Sequence, residues 1–157
     1  MKNKKGFTLV ELLIVIAIIG VLSTIAFVSL NRARSKARDA KRIADVRQLQ
    51  SALELFYNDQ TEPEYPMVTA TRTIDSTVLS STYVATLPTA PTPGDSSTCI
   101  SGTNNDYRYT SYQDQGGLTA CDDAAEDCAW YRLTFCLGAQ TGGVGAGLRT
   151  ASPAGIE

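Results

Sequence analysis

The chain has 157 residues and a formal net charge of −2, a length that fits one globular domain with an appendage and argues against a second full domain. It contains no histidine, which excludes a Ser-His-Asp or Cys-His catalytic arrangement. Eleven acidic residues and only four arginines follow residue 60, which argues against a nucleic-acid-binding domain in that part. No carboxylate pair is singled out by spacing, so we do not expect an enzyme.

An apolar segment runs from Phe7 to Leu30, and Glu11 is its only charged residue. As a helix with a rise of ~1.5 Å per residue, it is long enough to cross a hydrocarbon core of about 30 Å. A secretory signal has a shorter apolar core, of roughly 7 to 15 residues, and a small-residue cleavage site that is missing here. The segment is therefore predicted to span a membrane once. Lysines before it and a larger basic cluster after it leave its orientation open by charge counting.

The helix is predicted to continue beyond the membrane, because no proline or glycine occurs between Val21 and Thr61. Its second half is amphipathic, with apolar side chains at steps of three and four that form a stripe to be buried: Ile43, Val46, Leu49, Leu53, Phe56 and Tyr57. Pro63 and Pro66 exclude further continuation, so one helix of roughly 50 residues is expected.

A basic run extends from Arg32 to Arg42. We interpret it as a solvated or headgroup-level face, whose charges could pair in an assembly with Asp39, Asp45 or acidic residues of neighbours. Binding to DNA or to another anionic surface is the alternative.

The remainder of the chain predicts a small antiparallel sheet. Residues 106–112 and 129–138 alternate between apolar or aromatic and polar side chains, the pattern of a half-buried hairpin. The stretch 67–97 is predicted to be a surface loop with a short helix, and the Gly-rich tail a turn with a last edge strand. Aromatic residues of the predicted strands are expected in the core, with a binding surface as the alternative: Tyr107, Tyr109, Tyr112, Trp130 and Tyr131. The fold class is therefore α+β, with the long helix packed on a sheet.

Four cysteines lie in the last third of the chain. Zinc is disfavoured because closely spaced cysteine pairs and histidine are missing. Two disulfides are predicted instead, which fits an oxidising compartment outside the cytoplasm. Four cysteines allow three pairings, of which we favour Cys99 with Cys136 and Cys121 with Cys128.

An acidic cluster lies between Cys121 and Cys128 and consists of Asp122, Asp123, Glu126 and Asp127. Oxygen ligands suit calcium, but the D-x-D-x-D-G spacing of an EF-hand is missing. An exposed acidic loop is the preferred interpretation, so no cofactor is predicted, and calcium is the alternative.

The stretch KGFTLVELLIVIAIIG resembles the class III signal peptide and N-terminal helix of the type IV pilin family, which includes the pseudopilins of type II secretion. The stretches ADVRQLQSALELFYNDQTEPEYP, YRLTFCLG and TASPAGI resemble the helix end and last strands of small pilins and G-type pseudopilins. The resemblance implies a leader of residues 1–6, a membrane and filament-core helix over 7–30, an amphipathic half over 31–60 and an α+β head over 61–157. It implies cleavage between Gly6 and Phe7 and N-methylation of Phe7.

Glu11 acquires a role through this resemblance. A carboxylate at the centre of a membrane helix costs ~2.5 to 3.5 kcal/mol on insertion scales. After cleavage, the new amine of Phe7 lies one helical turn before Glu11, and the positive helix terminus attracts a carboxylate. In the family this carboxylate is thought to meet the amine of the adjacent subunit, so Glu11 is predicted to act in assembly.

The function implied by the resemblance is that of a structural subunit of a type IV pilus. The precursor would span the inner membrane once with its head outside the cytoplasm, and then enter an extracellular pilus. One alternative is a G-like major pseudopilin of a periplasmic secretion pseudopilus; another is a membrane-tethered binding domain that never polymerises.

The expected partners are copies of the chain in a helical filament, the prepilin peptidase, an inner-membrane assembly platform with its ATPase, and membrane lipid before assembly. Specific nucleic-acid binding is disfavoured, because the basic run would lie near the filament interior. Many members of the family carry a proline where Val28 stands, so whether the helix melts near Gly20 in a filament stays open.

Overall fold

The computed structural model describes residues 6–68, 70–94, 99, 105–117, 119–121 and 128–157. One α-helix, α1, spans Leu9–Asp59 and has 51 residues. The helix passes through Gly20 without a break, because a glycine costs only ~1 kcal/mol relative to alanine and no proline follows at Val28. The hydroxyl groups of Ser23 and Thr24 donate to backbone carbonyls of the preceding turn, at 2.7 Å each. The long continuous helix predicted from the sequence is confirmed.

The chain divides into two compact units between Arg34 and Ser35. In the first unit, every described residue from Gly6 to Arg34 is exposed. By length and composition α1 is able to cross a membrane. The apolar side chains of this unit are therefore left uncovered by the described part of the chain.

The second unit, residues 35–157, contains a five-stranded antiparallel sheet in the order β1-β2-β3-β4-β5. Its strands are β1 (Arg72–Thr73), β2 (Arg108–Tyr112), β3 (Trp130–Leu137), β4 (Gly147–Ser152) and β5 (Gly155–Ile156). The predicted hairpin is confirmed as β2 and β3, which pair from Arg108 opposite Thr134 to Tyr112 opposite Trp130.

The sequence prediction missed part of the sheet. Strand β1 lies in a stretch predicted to be loop, and turns at 76–78 and 81–83 stand where a short helix was predicted. The tail forms two strands instead of one. Strands of two residues, such as β1 and β5, are too short to show an alternating pattern.

The core of this unit lies between the second half of α1 and one face of the sheet. The predicted stripe is confirmed: Ile43, Val46, Leu49 and Leu53 are buried, while Phe56 and Tyr57 are half-buried against the same cluster. Inward side chains of β2 and β3 complete the cluster, including Tyr109, Tyr131, Leu133 and Phe135. The α+β architecture predicted from the sequence is confirmed.

Tyrosine rings form a continuous series inside this core. The ring centroids of Tyr57 and Tyr65 are 4.6 Å apart, those of Tyr65 and Tyr131 are 4.8 Å apart, and those of Tyr109 and Tyr131 are 6.0 Å apart. The core position expected for Tyr107, Tyr109 and Tyr131 is confirmed, since all three are buried.

Two of these buried hydroxyl groups have oxygen acceptors. Tyr107 donates to Asp45 Oδ2 at 2.7 Å, and Tyr109 donates to the Pro66 carbonyl at 2.8 Å. Burial raises the pKa of Tyr107 above its usual range, and the bond to the Asp45 carboxylate raises it further. Burial likewise raises the pKa of Tyr109 well above 10.0. Asp45 also accepts from Lys41 Nζ at 3.1 Å.

An ion pair between Asp39 and Arg42 is fully buried, with 0% of either residue exposed. Arg42 Nη1 donates to Asp39 Oδ1 at 2.8 Å. The interpretation of the whole run up to Arg42 as a solvated face is therefore wrong at its last member. Lys41 and Arg42 of the basic run pair with Asp45 and Asp39 within one subunit. Pairing of the run with acidic residues of neighbouring subunits stays a prediction.

Raising the pH above about 10 is expected to destabilise the head, because an unfolded tyrosine ionises near that pH. Tyr107 and Tyr109 have a raised pKa in the folded state, so they keep their protons there. Their contribution to stability is complete below the unfolded pKa and is lost as the pH rises through the folded pKa. Each such tyrosine, Tyr109 for example, lowers the free energy of unfolding by about 1.4 kcal/mol per pH unit between its unfolded and folded pKa.

Denaturant unfolding of the full chain in detergent, from about pH 8 to about pH 11, measures this slope. Tyr109→Phe should reduce it, whereas Tyr112→Phe, at a half-exposed position, should change it little. A Tyr109→Phe protein with the wild-type slope would contradict the prediction.

Arg42→Met is expected to lower the free energy of unfolding by about 3 to 5 kcal/mol, because it leaves the Asp39 carboxylate buried without its cation. Arg72→Met is the matched control, since Arg72 and Asp75 form another pair with the same spacing at 2.6 Å, but on the surface. Its cost should not exceed about 1 kcal/mol. Equal losses in chemical denaturation of the two variants would refute the assignment.

Candidate processing and assembly site

The start of α1 is held by reciprocal hydrogen bonds between Thr8 and Glu11. The Thr8 amide and hydroxyl donate to Glu11 Oε2 at 2.7 and 2.8 Å, and the Glu11 amide donates to Thr8 Oγ1 at 3.2 Å. This is a capping box, in which the N-cap residue and the third helical residue satisfy each other's amides. Glu11 therefore has an internal partner near the positive end of the helix before any other molecule is involved.

The sequence prediction missed Thr8. Its signal was present as a threonine three residues before a glutamate at the start of an apolar run, the usual sequence mark of a capping box. Among the described residues, both bonds accepted by the Glu11 carboxylate use Oε2. No hydrogen bond from the described residues reaches its second oxygen, Oε1.

Gly6 and Phe7 precede the helix and are exposed, with 92% of Phe7 accessible. A Cβ atom built on Gly6 meets nothing within 4 Å. Packing within the described chain therefore places no demand on a glycine at this position.

The predicted cysteine positions lie in the second unit. Disulfides join Cys99 to Cys136 and Cys121 to Cys128, with Cα separations of 5.6 and 6.0 Å. Cys136 belongs to β3, and Cys99 lies in the segment before β2. The first bond therefore ties that segment to the sheet.

The weak calcium candidates Asp122, Asp123, Glu126 and Asp127 lie outside the described residues. Within the described ranges, no group of three or more acidic, histidine or cysteine side chains is arranged to hold a metal ion.

The rest of the basic run differs from Arg42. Arg32, Arg34 and Lys36 are exposed and directly follow the apolar segment.

On the sheet, Tyr112 and Trp130 are only half-buried, and the Arg132 guanidinium lies 5.1 Å from the centre of the Tyr112 ring. These aromatic residues stand opposite each other at one end of the hairpin, and an arginine covers one of them.

Comparison with known proteins connects these features to a family. The model of the prokaryotic N-terminal methylation motif matches residues 1–27, which include Gly6, Phe7, Thr8 and Glu11. No solved structure matches the chain significantly.

Two curated relatives align over most of their length. The type II secretion system core protein G of Vibrio cholerae is 28% identical over 160 aligned positions, covering 94% of this chain and 90% of the relative. Core protein G of Escherichia coli K12 is 29% identical over 133 positions, covering 77% of this chain and 89% of the relative.

Another relative has a higher identity over a shorter stretch. The type IV wide pilus major component PilA4 of Thermus thermophilus is 56% identical over 39 positions, covering 25% of this chain and 30% of the relative. The chain is therefore similar to the type IV pilins and to the pseudopilins of type II secretion.

Proposed function

We propose that the chain is the structural subunit of a type IV pilus, made as a membrane-inserted precursor and polymerised through α1. The observation that carries this proposal is the first unit itself: an exposed apolar helix with one carboxylate, Glu11, in its first turn. An apolar surface of this size requires lipid or other helices to cover it. Assembly of like subunits supplies such helices.

A pseudopilin of type II secretion is the second candidate. It is favoured by the alignment with two G proteins over 90% and 89% of their lengths, whereas the similarity to the pilus subunit is confined to 39 positions. The two candidates share processing, membrane insertion and polymerisation, and differ in the length and location of the fibre.

Processing between residues 6 and 7 is supported by accessibility. Gly6 and Phe7 lie outside the helix and are exposed, so a peptidase could bind them without unfolding α1. Packing of the described chain does not require a glycine at position 6. We therefore attribute the glycine to recognition by the peptidase. The product would start at Phe7, whose amine is proposed to be methylated.

The role proposed for Glu11 in assembly follows from the two oxygens of its carboxylate. Oε2 accepts both bonds from Thr8, which holds the carboxylate at the helix start. Oε1 could then accept a hydrogen bond from the Phe7 amine of a neighbouring subunit, since a charge-assisted bond is strong in apolar surroundings. In this proposal, Oε2 holds the Glu11 carboxylate in place, and Oε1 fixes the position of the neighbouring subunit along the filament.

Before assembly, the precursor is proposed to span the inner membrane with its head outside the cytoplasm. The disulfides support this location, because they persist in oxidising compartments. Arg32, Arg34 and Lys36 follow the apolar segment directly and would lie at the level of the lipid headgroups. The proposed partners are the peptidase, an assembly platform with its ATPase, and lipid.

Mass spectrometry of fibres sheared from cells tests the proposal. The expected subunit begins at Phe7, carries one methyl group on its amine and contains two disulfides. Long surface fibres indicate a pilus, and short periplasmic fibres indicate a pseudopilus. Recovery of an intact chain starting at Met1, as a monomer in the membrane, would contradict both.

Glu11→Ala is expected to abolish fibres while cleavage at Gly6 continues, because the change removes the carboxylate but leaves the cleavage site. Glu62→Ala is the control, since it removes an exposed carboxylate beyond the end of α1. Immunoblots report cleavage from the change in size, and electron microscopy reports fibres. Normal fibres from Glu11→Ala would refute the assembly role.

A further inference from the structure

The buried pair Asp39–Arg42 is held from two sides by different loops. On one side, Arg42 Nη2 donates to the Pro91 carbonyl at 2.7 Å, to Asn105 Oδ1 at 3.0 Å and to the Pro93 carbonyl at 3.3 Å. These acceptors lie in the segment between β1 and β2. We call this side the arginine clamp; its three oxygens accept hydrogen bonds from the guanidinium.

On the other side, the Asp39 carboxylate accepts from two backbone amides. Gly138 donates to Oδ1 at 3.0 Å, and Ala139 donates to Oδ2 at 2.9 Å. These residues directly follow the end of β3 at Leu137. This side, the aspartate clamp, uses both carboxylate oxygens, so the pair is buried only while both loops are in place.

The disulfide Cys99–Cys136 joins the two clamps. Cys99 lies between Pro93 and Asn105, two of the three residues of the arginine clamp, and Cys136 lies two residues before Gly138. A single covalent bond therefore links the loop that covers Arg42 to the strand end that covers Asp39.

A buried ion pair is a demanding element of a fold, because both charges lose their hydration and need nearly ideal partners. If one clamp moves away, the charged group on that side loses its other hydrogen-bond partners while it is still buried, so opening to water becomes favourable. The disulfide limits the separation of the two loops and so opposes this opening.

We propose that the Cys99–Cys136 disulfide is a redox-controlled latch, which keeps Asp39 and Arg42 buried in the oxidised chain and lets them reach water in the reduced chain. Closing the latch removes two protons and two electrons from the two thiols. A disulfide-containing oxidant accepts them and is released as a dithiol. The consequence for assembly rests on the proposed function: the closed, oxidised subunit is the form that polymerises.

The second disulfide provides a matched control. The Cys121 amide donates to the Ser111 carbonyl at 3.1 Å, and the Cys128 carbonyl accepts from the Tyr65 amide at 2.9 Å. These contacts involve neither clamp, and this bond closes a loop with a sequence separation of only 7, against 37 for the latch. Its loss should leave Arg42 buried.

The test compares the full-length wild type with two double variants in detergent micelles, Cys99→Ser/Cys136→Ser and Cys121→Ser/Cys128→Ser. Phenylglyoxal labels accessible guanidinium groups, and peptide mass spectrometry reads the labelling of Arg42 against Arg47, an exposed arginine on the same helix. Loss of the latch is expected to raise Arg42 labelling roughly tenfold or more, as local opening exposes it. The control variant should label Arg42 as slowly as wild type.

Amide hydrogen exchange of the same samples separates local opening from general unfolding. The latch predicts faster exchange at Gly138 and Ala139 with retained protection along β3 and β4. Unchanged Arg42 labelling in the latch variant overturns the proposal, and so does a loss of protection over the whole sheet, because the bond would then support the head as a whole.

Fibre formation tests the consequence for assembly. The latch variant should be cleaved at Gly6 normally but form far fewer fibres than the control variant. If both variants form fibres equally, the assembly consequence is wrong while the pilin proposal stands. If wild type forms no fibres, the pilin proposal fails while the labelling result still decides the latch.

Discussion

The structure depends on one constraint: α1 exposes apolar side chains over its first half and buries a stripe over its second half. Backbone hydrogen bonds within a helix let it enter lipid, because no amide or carbonyl of its interior needs water. The apolar side chains from Phe7 to Leu30 are exposed in the described chain, so lipid or other protein must cover them. The function of this protein depends on what covers these apolar side chains.

Lipid and neighbouring helices are both apolar, so the apolar surface alone does not choose between them. Glu11 separates the two cases, because its carboxylate needs hydrogen-bond donors in apolar surroundings. Lipid tails supply no donors, whereas a neighbouring subunit can. Thr8 provides donors for one oxygen within the chain. In the proposed assembly, the amine created by cleavage is the donor to the other oxygen. Processing would then convert a membrane anchor into a subunit with a preferred neighbour.

The second unit, residues 35–157, depends on a different interaction, the buried pair Asp39–Arg42. Three separate parts of the chain meet at this pair: α1, the segment before β2, and the turn after β3. The apolar stripe of α1 provides affinity for the sheet but little directional information. The charged pair adds direction, because each of its hydrogen bonds specifies one partner atom. The disulfide Cys99–Cys136 then links two of these parts covalently.

The sequence by itself determined the features that depend on local order: the long helix from its lack of proline, the stripe Ile43 to Leu53 from its period, and the β2–β3 hairpin from its alternation. The resemblance to the pilins and pseudopilins followed from the stretch around Gly6, Phe7 and Glu11. Only the tertiary structure decided that Arg42 leaves the basic run for the interior, because its acceptors at Pro91 and Asn105 are distant in sequence. It also revealed strands β1 and β5, which are too short to carry a pattern. Local periodicity reports which face of an element is apolar, whereas burial of a charge depends on partners that only the folded chain brings together.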